Sequence, residues 1–145
     1  MARCLGFLRD HLEHEDRHIE PLLVRFAPAL ARLLNVEHPE LERSAIAVES
    51  LFPRLAPLGG IERTQMGAEI ARRFQVFVAE HVRHMDREER EVVPTLWAHL
   101  TDAEIGAISG RIIAEMGPAK MATFGEVLFP SLSRPEREAM QGPPV

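Results

Sequence analysis

Apolar positions along the chain recur at intervals of three and four residues and rarely alternate, so the pattern predicts helices and almost no strands. Leu5, Leu8, Leu12, Ile19, Leu22 and Phe26 form the first stripe, spaced as one helix face requires. Pro21 and Pro28 should kink or end that helix, because proline lacks the N–H donor and its ring collides with the preceding turn. A second helix is expected to start at Pro39, a residue favoured in a first turn. Leu41, Ala45, Val48, Phe52 and Leu55 would face inward until "PLGG" (57–60) stops it. The third and longest helix has Ile70, Phe74, Phe77, Val78, Met85, Val92 and Leu96 on one face. "TDAE" (101–104) reads as a capping box, an N-cap threonine with glutamate three residues on. It opens a fourth helix through Ile105, Ile108, Ile112 and Met116. Prolines 118, 130 and 135 punctuate the remainder, so a tail ending in "QGPPV" should form short helical pieces with a frayed end. The expected organisation is an all-α helical bundle over 1–117 with an extension over 118–145.

An internal repeat sharpens this picture. "HLEHEDRHIEPLL" (11–23) laid over "HMDREEREVVPTL" (84–96) matches in kind at most positions. A repeat on two different helices predicts a pseudo-symmetric pair. What it preserves is H-x-x-x-E, His11 with Glu15 and His84 with Glu88, each followed by a proline six residues after the glutamate. Residues four apart on a helix share a side, one turn from each other, so histidine and glutamate can reach one point. Two such helices facing each other would offer two imidazoles and two carboxylates to a shared centre. Mixed nitrogen and oxygen ligation in a bundle core suits iron or manganese, and carboxylates can bridge two metals.

Helical-wheel arithmetic tests which side chains face inward. Glu15 lies roughly 25° and His11 roughly 65° from the apolar centre of the first helix, and Glu88 and His84 repeat this at roughly 35° and 75°. Carboxylates where a core would place leucine cost several kcal/mol unless a metal or charged partner compensates. His14 points more than about 120° away and is expected in solvent. His81 sits near the middle of its apolar face, either as a core histidine satisfied by a partner or as a ligand or its support. His18, at the margin of its face, aligns with Glu91 in the repeat and is expected to support a ligand or lie at the surface. His38, immediately before Pro39, reads as an N-cap residue or a ligand from the second helix, and Glu42 one turn on is a weaker candidate. His99 is most simply a partner for the C-terminal helix dipole.

Composition narrows the classes. The 145 residues, 46% hydrophobic, can bury one domain's core, and 17 Lys+Arg against 22 Asp+Glu give a net charge of −5. No basic stripe offers a footprint for nucleic acid. The single Cys4 cannot form an internal disulfide and reads as a small helix-face hydrophobe. With no secretory pattern at the start and no apolar run long enough to span a bilayer, a cytoplasmic protein is expected.

The string "HEDRH" (14–18) also matches the H-E-x-x-H signature of zinc peptidases. That reading makes His14 and His18 zinc ligands and Glu15 the base. It lacks a third-ligand motif and is broken in the repeat, where Arg87 and Glu91 stand at the two histidine positions.

"HLEHEDRHIEPLL", the "EH" at Glu37-His38 and "FVAEHVRHMDREEREVVPTLW" resemble the hemerythrin-like family of cation-binding domains, over about Phe7 to Trp97. The resemblance implies an antiparallel four-helix bundle with a non-haem centre, usually di-iron, that binds or senses dioxygen, nitric oxide, iron or redox state. By the same resemblance His11 and Glu15 match the family's second-helix histidine and bridging carboxylate, His38 its third-helix histidine, and His84 with Glu88 its fourth-helix pair. Mononuclear iron, manganese or zinc are the alternatives for the metal. The family's first helix, with its own ligand histidine, has no counterpart here, since only ten residues precede His11. A partner chain could complete the bundle, the helix from Thr101 could fill the gap, or the centre could be incomplete. A homodimer is the physically preferred expectation, because a missing helix would leave an apolar seam. No catalytic residue is assigned. The competing functions are a helical interaction module without metal and the zinc hydrolase.

Overall fold

The computed structural model describes residues 2–135 and 137, and every element among them is helical. The side chain of Cys4 and the "QGPPV" end lie outside the described residues. The chain divides into two compact units, 1–105 and 106–145.

Three helical arms build the first unit. The first is α1 (Ala2–His18) continued by α2 (Glu20–Phe26), the second is α3 (Pro28–Glu49), and a single turn, α4 (Phe52–Leu55), leads to the third. That third arm joins α5 (Gly60–Arg87) through a π-helical turn at Glu88–Val92 to α6 (Val93–His99). Arg9 of α1 pairs with Glu49 at the far end of α3 (3.0 Å), whereas Asn35 of α3 donates to Glu20 of α2 (2.7 Å). The first two arms therefore run in opposite directions. Ser44 donating to Glu80 (3.0 Å) and His84 meeting Glu37 (3.2 Å) set α5 against α3 in the same way.

The prolines shape the arms more variously than expected. Pro21 restarts a helix just after α1 ends, and Pro28 occupies the first turn of α3, where its missing donor is not needed. The second helix thus begins at Pro28 and not at Pro39. His38 is accordingly no N-cap residue but a buried residue within α3, 5% exposed. Pro39 inside the helix removes one backbone bond and crowds the carbonyl four residues back, a cost of about 3 kcal/mol. Leu34 and Leu41, buried on either side, each return about 1.5–3 kcal/mol of apolar transfer. Burial outweighs the proline, and the helix persists to Glu49.

Pro94 acts differently. Its ring would crowd the Arg90 carbonyl, and the chain widens just before it into the π turn, where Val93 N–H reaches back to the Glu88 carbonyl. The one-residue insertion re-aims the helix, so that Val92 and Leu96 are buried beyond it while Val78, expected on the same stripe, is 38% exposed. The break at Ile19 occupies the matching place in the first arm, between Glu15 and Pro21. Each copy of the repeat is therefore interrupted between its glutamate and its proline, by a break at Ile19 in the first and by the π turn in the second.

Two apolar clusters flank the middle of this unit. Leu23, Leu30, Ala31, Leu34, Val92 and Leu96 make one, and Leu5, Ala45, Val48 and Phe77 the other. Leu23 and Leu96, equivalent in the repeat, share the first cluster. Phe26 stacks on His99 with ring centroids 4.5 Å apart, and His99 Nδ1–H donates to the Thr95 carbonyl (2.9 Å) in the last turn of α6.

The expected capping box forms, with Thr101 N–H donating to Glu104 (2.8 Å) and Glu104 N–H to the Thr101 hydroxyl (3.3 Å). It opens α7 (Asp102–Ser131), which breaks at Gly117, where φ is 69° and only glycine is unstrained. The second unit holds the rest of α7, whose helix resumes at Pro118 and runs to Ser131 in place of shorter pieces. No helix among the described residues is long and apolar enough to cross a membrane.

Candidate metal centre

The layer between the two apolar clusters is polar. Glu15 from α1, His38 from α3, His84 from α5 and Glu88 from the π turn each direct one nitrogen or oxygen to a common point, all four atoms lying within 4.8 Å of one another. His38, His84 and Glu88 are at most 5% exposed. His11 adjoins the group from α1, with Nε2 3.5 Å from Glu15 and 3.6 Å from Glu88. The five residues expected from the two H-x-x-x-E pairs and His38 thus converge.

Each carboxylate divides its oxygens between two sides. Glu15 turns Oε1 toward His11 and Oε2 toward His38 (3.8 Å) and His84 (4.0 Å). Glu88 turns Oε2 toward His11 and Oε1 toward His84 (2.7 Å). Yet His11 Nε2, Glu15 Oε2, His38 Nε2, His84 Nε2 and Glu88 Oε1 are all buried without a properly oriented hydrogen-bond partner among the described residues. A buried polar atom left unsatisfied costs about 1–3 kcal/mol, more if charged. Five such atoms, all able to donate lone pairs, form a group that could hold a metal ion.

Two acids that the sequence reading did not single out aim the rings. His38 Nδ1 meets Asp16 Oδ1 at 2.5 Å, and His84 Nδ1 meets Glu37 Oε2 at 3.2 Å, with Glu37 held in turn by Arg87. An imidazole whose Nδ1–H is taken by a carboxylate presents the Nε2 lone pair on its other side, the arrangement that metal-binding histidines use. The available signal was adjacency, since Asp16 follows Glu15 and Glu37 precedes His38.

His81 is 7% exposed and has both ring nitrogens buried without a hydrogen bond among the described residues. Its ring lies 6.4 Å from that of His11 and 6.0 Å from that of His84. His18 stacks on His14 at 6.4 Å, and neither ring joins the Glu15 cluster. Glu42 is exposed, lining an open groove beside Asp16 and His38.

The carboxyls differ in protonation. Burial, then the neighbouring Glu88 carboxylate, push Glu15 up to about 10. Burial acts on Glu88 in the same sense, but the adjacent His11 and His84 rings outweigh it and hold Glu88 well below the usual carboxylate range. The pair behaves as two like charges of which one stays neutral. Burial, then His11 and His84, lower His81 to about 4, so that its ring is neutral. For Glu15 the folded value lies above the ordinary 4.5, so its contribution to stability is intact below pH 4.5 and is lost as pH rises toward 10. Metal-free protein should therefore lose stability through this group over that window, by at most about 1.4 kcal/mol per pH unit. Urea denaturation at pH 6 and pH 9 would measure it, and Glu15→Gln should flatten the decline.

A small cleft of about 10 Å³ opens beside the carboxylates against Leu23, Leu34 and Val92. That volume corresponds to about one water-sized molecule.

Comparison with protein-family models, with curated proteins and with solved structures finds no match to this chain.

Proposed function

We propose that the chain is a non-haem iron protein of the hemerythrin type, an antiparallel helical bundle with a di-iron centre that binds or senses dioxygen or nitric oxide. The observation that carries the reading is the pair of carboxylates, Glu15 and Glu88, each splitting its oxygens between histidines on two sides, with Glu15 Oε2 and Glu88 Oε1 buried and without a hydrogen bond among the described residues. His11, His38 and His84 would supply nitrogens, and Glu15 and Glu88 oxygens, to hold the metal. This mixed donor set suits iron or manganese better than a soft-metal site would. Iron, when bound, would supply reversible ligand binding or electron transfer, and the chain's part is to hold the ion, keep water scarce and admit a small molecule. Leu23, Leu34 and Val92 beside the carboxylates support the last two roles.

Glu15 must give up its proton to become a ligand, so loading at neutral pH should release about one proton per chain from this group. The direct test is metal analysis of protein from iron-supplemented growth, with absorption spectra before and after exposure to oxygen. One or two irons per chain with an oxygen-dependent charge-transfer band are expected. Only traces of iron, with no such band, would favour the metal-free interaction module.

A homodimer belongs to the same reading. Val36 on α3 and Val82 on α5, each 61% exposed, leave apolar surface on the first unit that a second copy could cover. Sedimentation velocity of the iron-loaded protein should give a dimer, and a monomer at micromolar concentration would remove this part of the proposal.

A further inference from the structure

Four histidines surround the two carboxylates, and they are not held alike. His38 and His84 each have Nδ1 engaged by an acid, Asp16 and Glu37 respectively, which holds the ring in place before any ion arrives. Their unsatisfied Nε2 atoms lie with Glu15 and Glu88 in the group of four atoms within 4.8 Å. On the other side of the carboxylates, His11 Nε2 faces Glu15 Oε1 and Glu88 Oε2. Near it stands His81, more than nine-tenths buried, with neither ring nitrogen hydrogen-bonded among the described residues.

A structural histidine in a core would find a partner for at least one nitrogen. His81 instead stacks on Phe77 with ring centroids 5.8 Å apart, and its ring lies 6.4 Å from that of His11. Two imidazoles at that separation can ligate one ion between them. His81 is also one turn before His84 on α5, with its ring 6.0 Å from that of His84, so a single helix brings two imidazoles to the centre.

We infer that the centre is asymmetric: His38 and His84 form a tight locus, His11 and His81 form a labile one, and His81 is the ligand that makes the second ion possible. The inference rests on the metal-centre reading above and adds to it which ion is exchangeable. An orienting partner on a ligand histidine is worth about 10–100-fold in metal affinity. With two oriented rings in one locus and no such carboxylate at His81, the loci should differ by about 100-fold or more.

Titration of metal-stripped full-length protein with cobalt(II), followed by its visible bands and by calorimetry, tests this. Two steps are expected, separated by about 100-fold or more. His81→Phe should erase the weaker step and leave the tighter one unchanged, with His81→Leu used instead if the phenylalanine variant does not keep its helical circular dichroism. Asp16→Asn should weaken the tighter step by about 10–100-fold. A single step of one ion, two indistinguishable steps, or both steps surviving in the His81 variants would overturn the asymmetry while leaving metal binding intact. No cobalt binding at all would overturn both.

Discussion

Replacing Glu15 and Glu88 together with leucine is expected to abolish iron binding and, at the same time, to stabilise the metal-free protein. Both carboxyls lie in the layer between two apolar clusters, with one oxygen of each buried and unsatisfied. Exchanging buried ionic groups for apolar residues of similar size is commonly neutral or stabilising by about 1–4 kcal/mol. A purely structural polar network would behave oppositely, because deleting its centre would orphan the surrounding rings. His38 and His84 keep Asp16 and Glu37 in the double variant, which limits that penalty. Thermal melting in the presence of a chelator measures the effect. A rise in Tm together with loss of bound iron is the signature of a site maintained for function at the expense of stability. A fall of several degrees would mean that the carboxylates hold the fold together.

Iron loading of the native sequence should have the second large effect. A ligand present at about a thousand times its Kd and bound only by the folded chain stabilises it by about 4 kcal/mol. For a chain of this length that corresponds to a rise in Tm of roughly 10 °C or more. The gain should be greatest at neutral to mildly alkaline pH and shrink on acidification, as protons compete for the imidazoles and carboxylates. Differential scanning calorimetry with and without iron(II), under anaerobic conditions, measures it. An unchanged melting curve at saturating iron(II) would contradict the proposed centre.

The main features of this arrangement are legible in the sequence because they are local. Three-and-four spacing places Leu5, Leu12, Glu15 and Leu23 on one side of the first arm, and the repeat at 84–96 marks the face that opposes it. What the sequence conceals depends on packing between segments. Pro39 resembles a helix start by its own chemistry, and only the burial of Leu34, His38 and Leu41 around it keeps α3 continuous. The π turn at Glu88–Val92 escapes a periodicity analysis, since one inserted residue hardly alters an average over the whole arm. Asp16 and Glu37 look like ordinary surface acids until the fold brings each against a histidine on another helix. His81 stays ambiguous on a helical wheel, because facing the core does not say whether a partner waits there. The zinc-peptidase string is the converse case: its two histidines pair with each other, and its glutamate turns to His11 and His38.

The most direct test of the central claim is a crystal structure of iron-loaded protein with anomalous diffraction recorded at the iron edge. The account predicts an anomalous peak within bonding distance of His38 Nε2, His84 Nε2 and oxygens of both Glu15 and Glu88. Absence of a peak there from fully loaded crystals, or an iron peak only at His14 and His18, would contradict it.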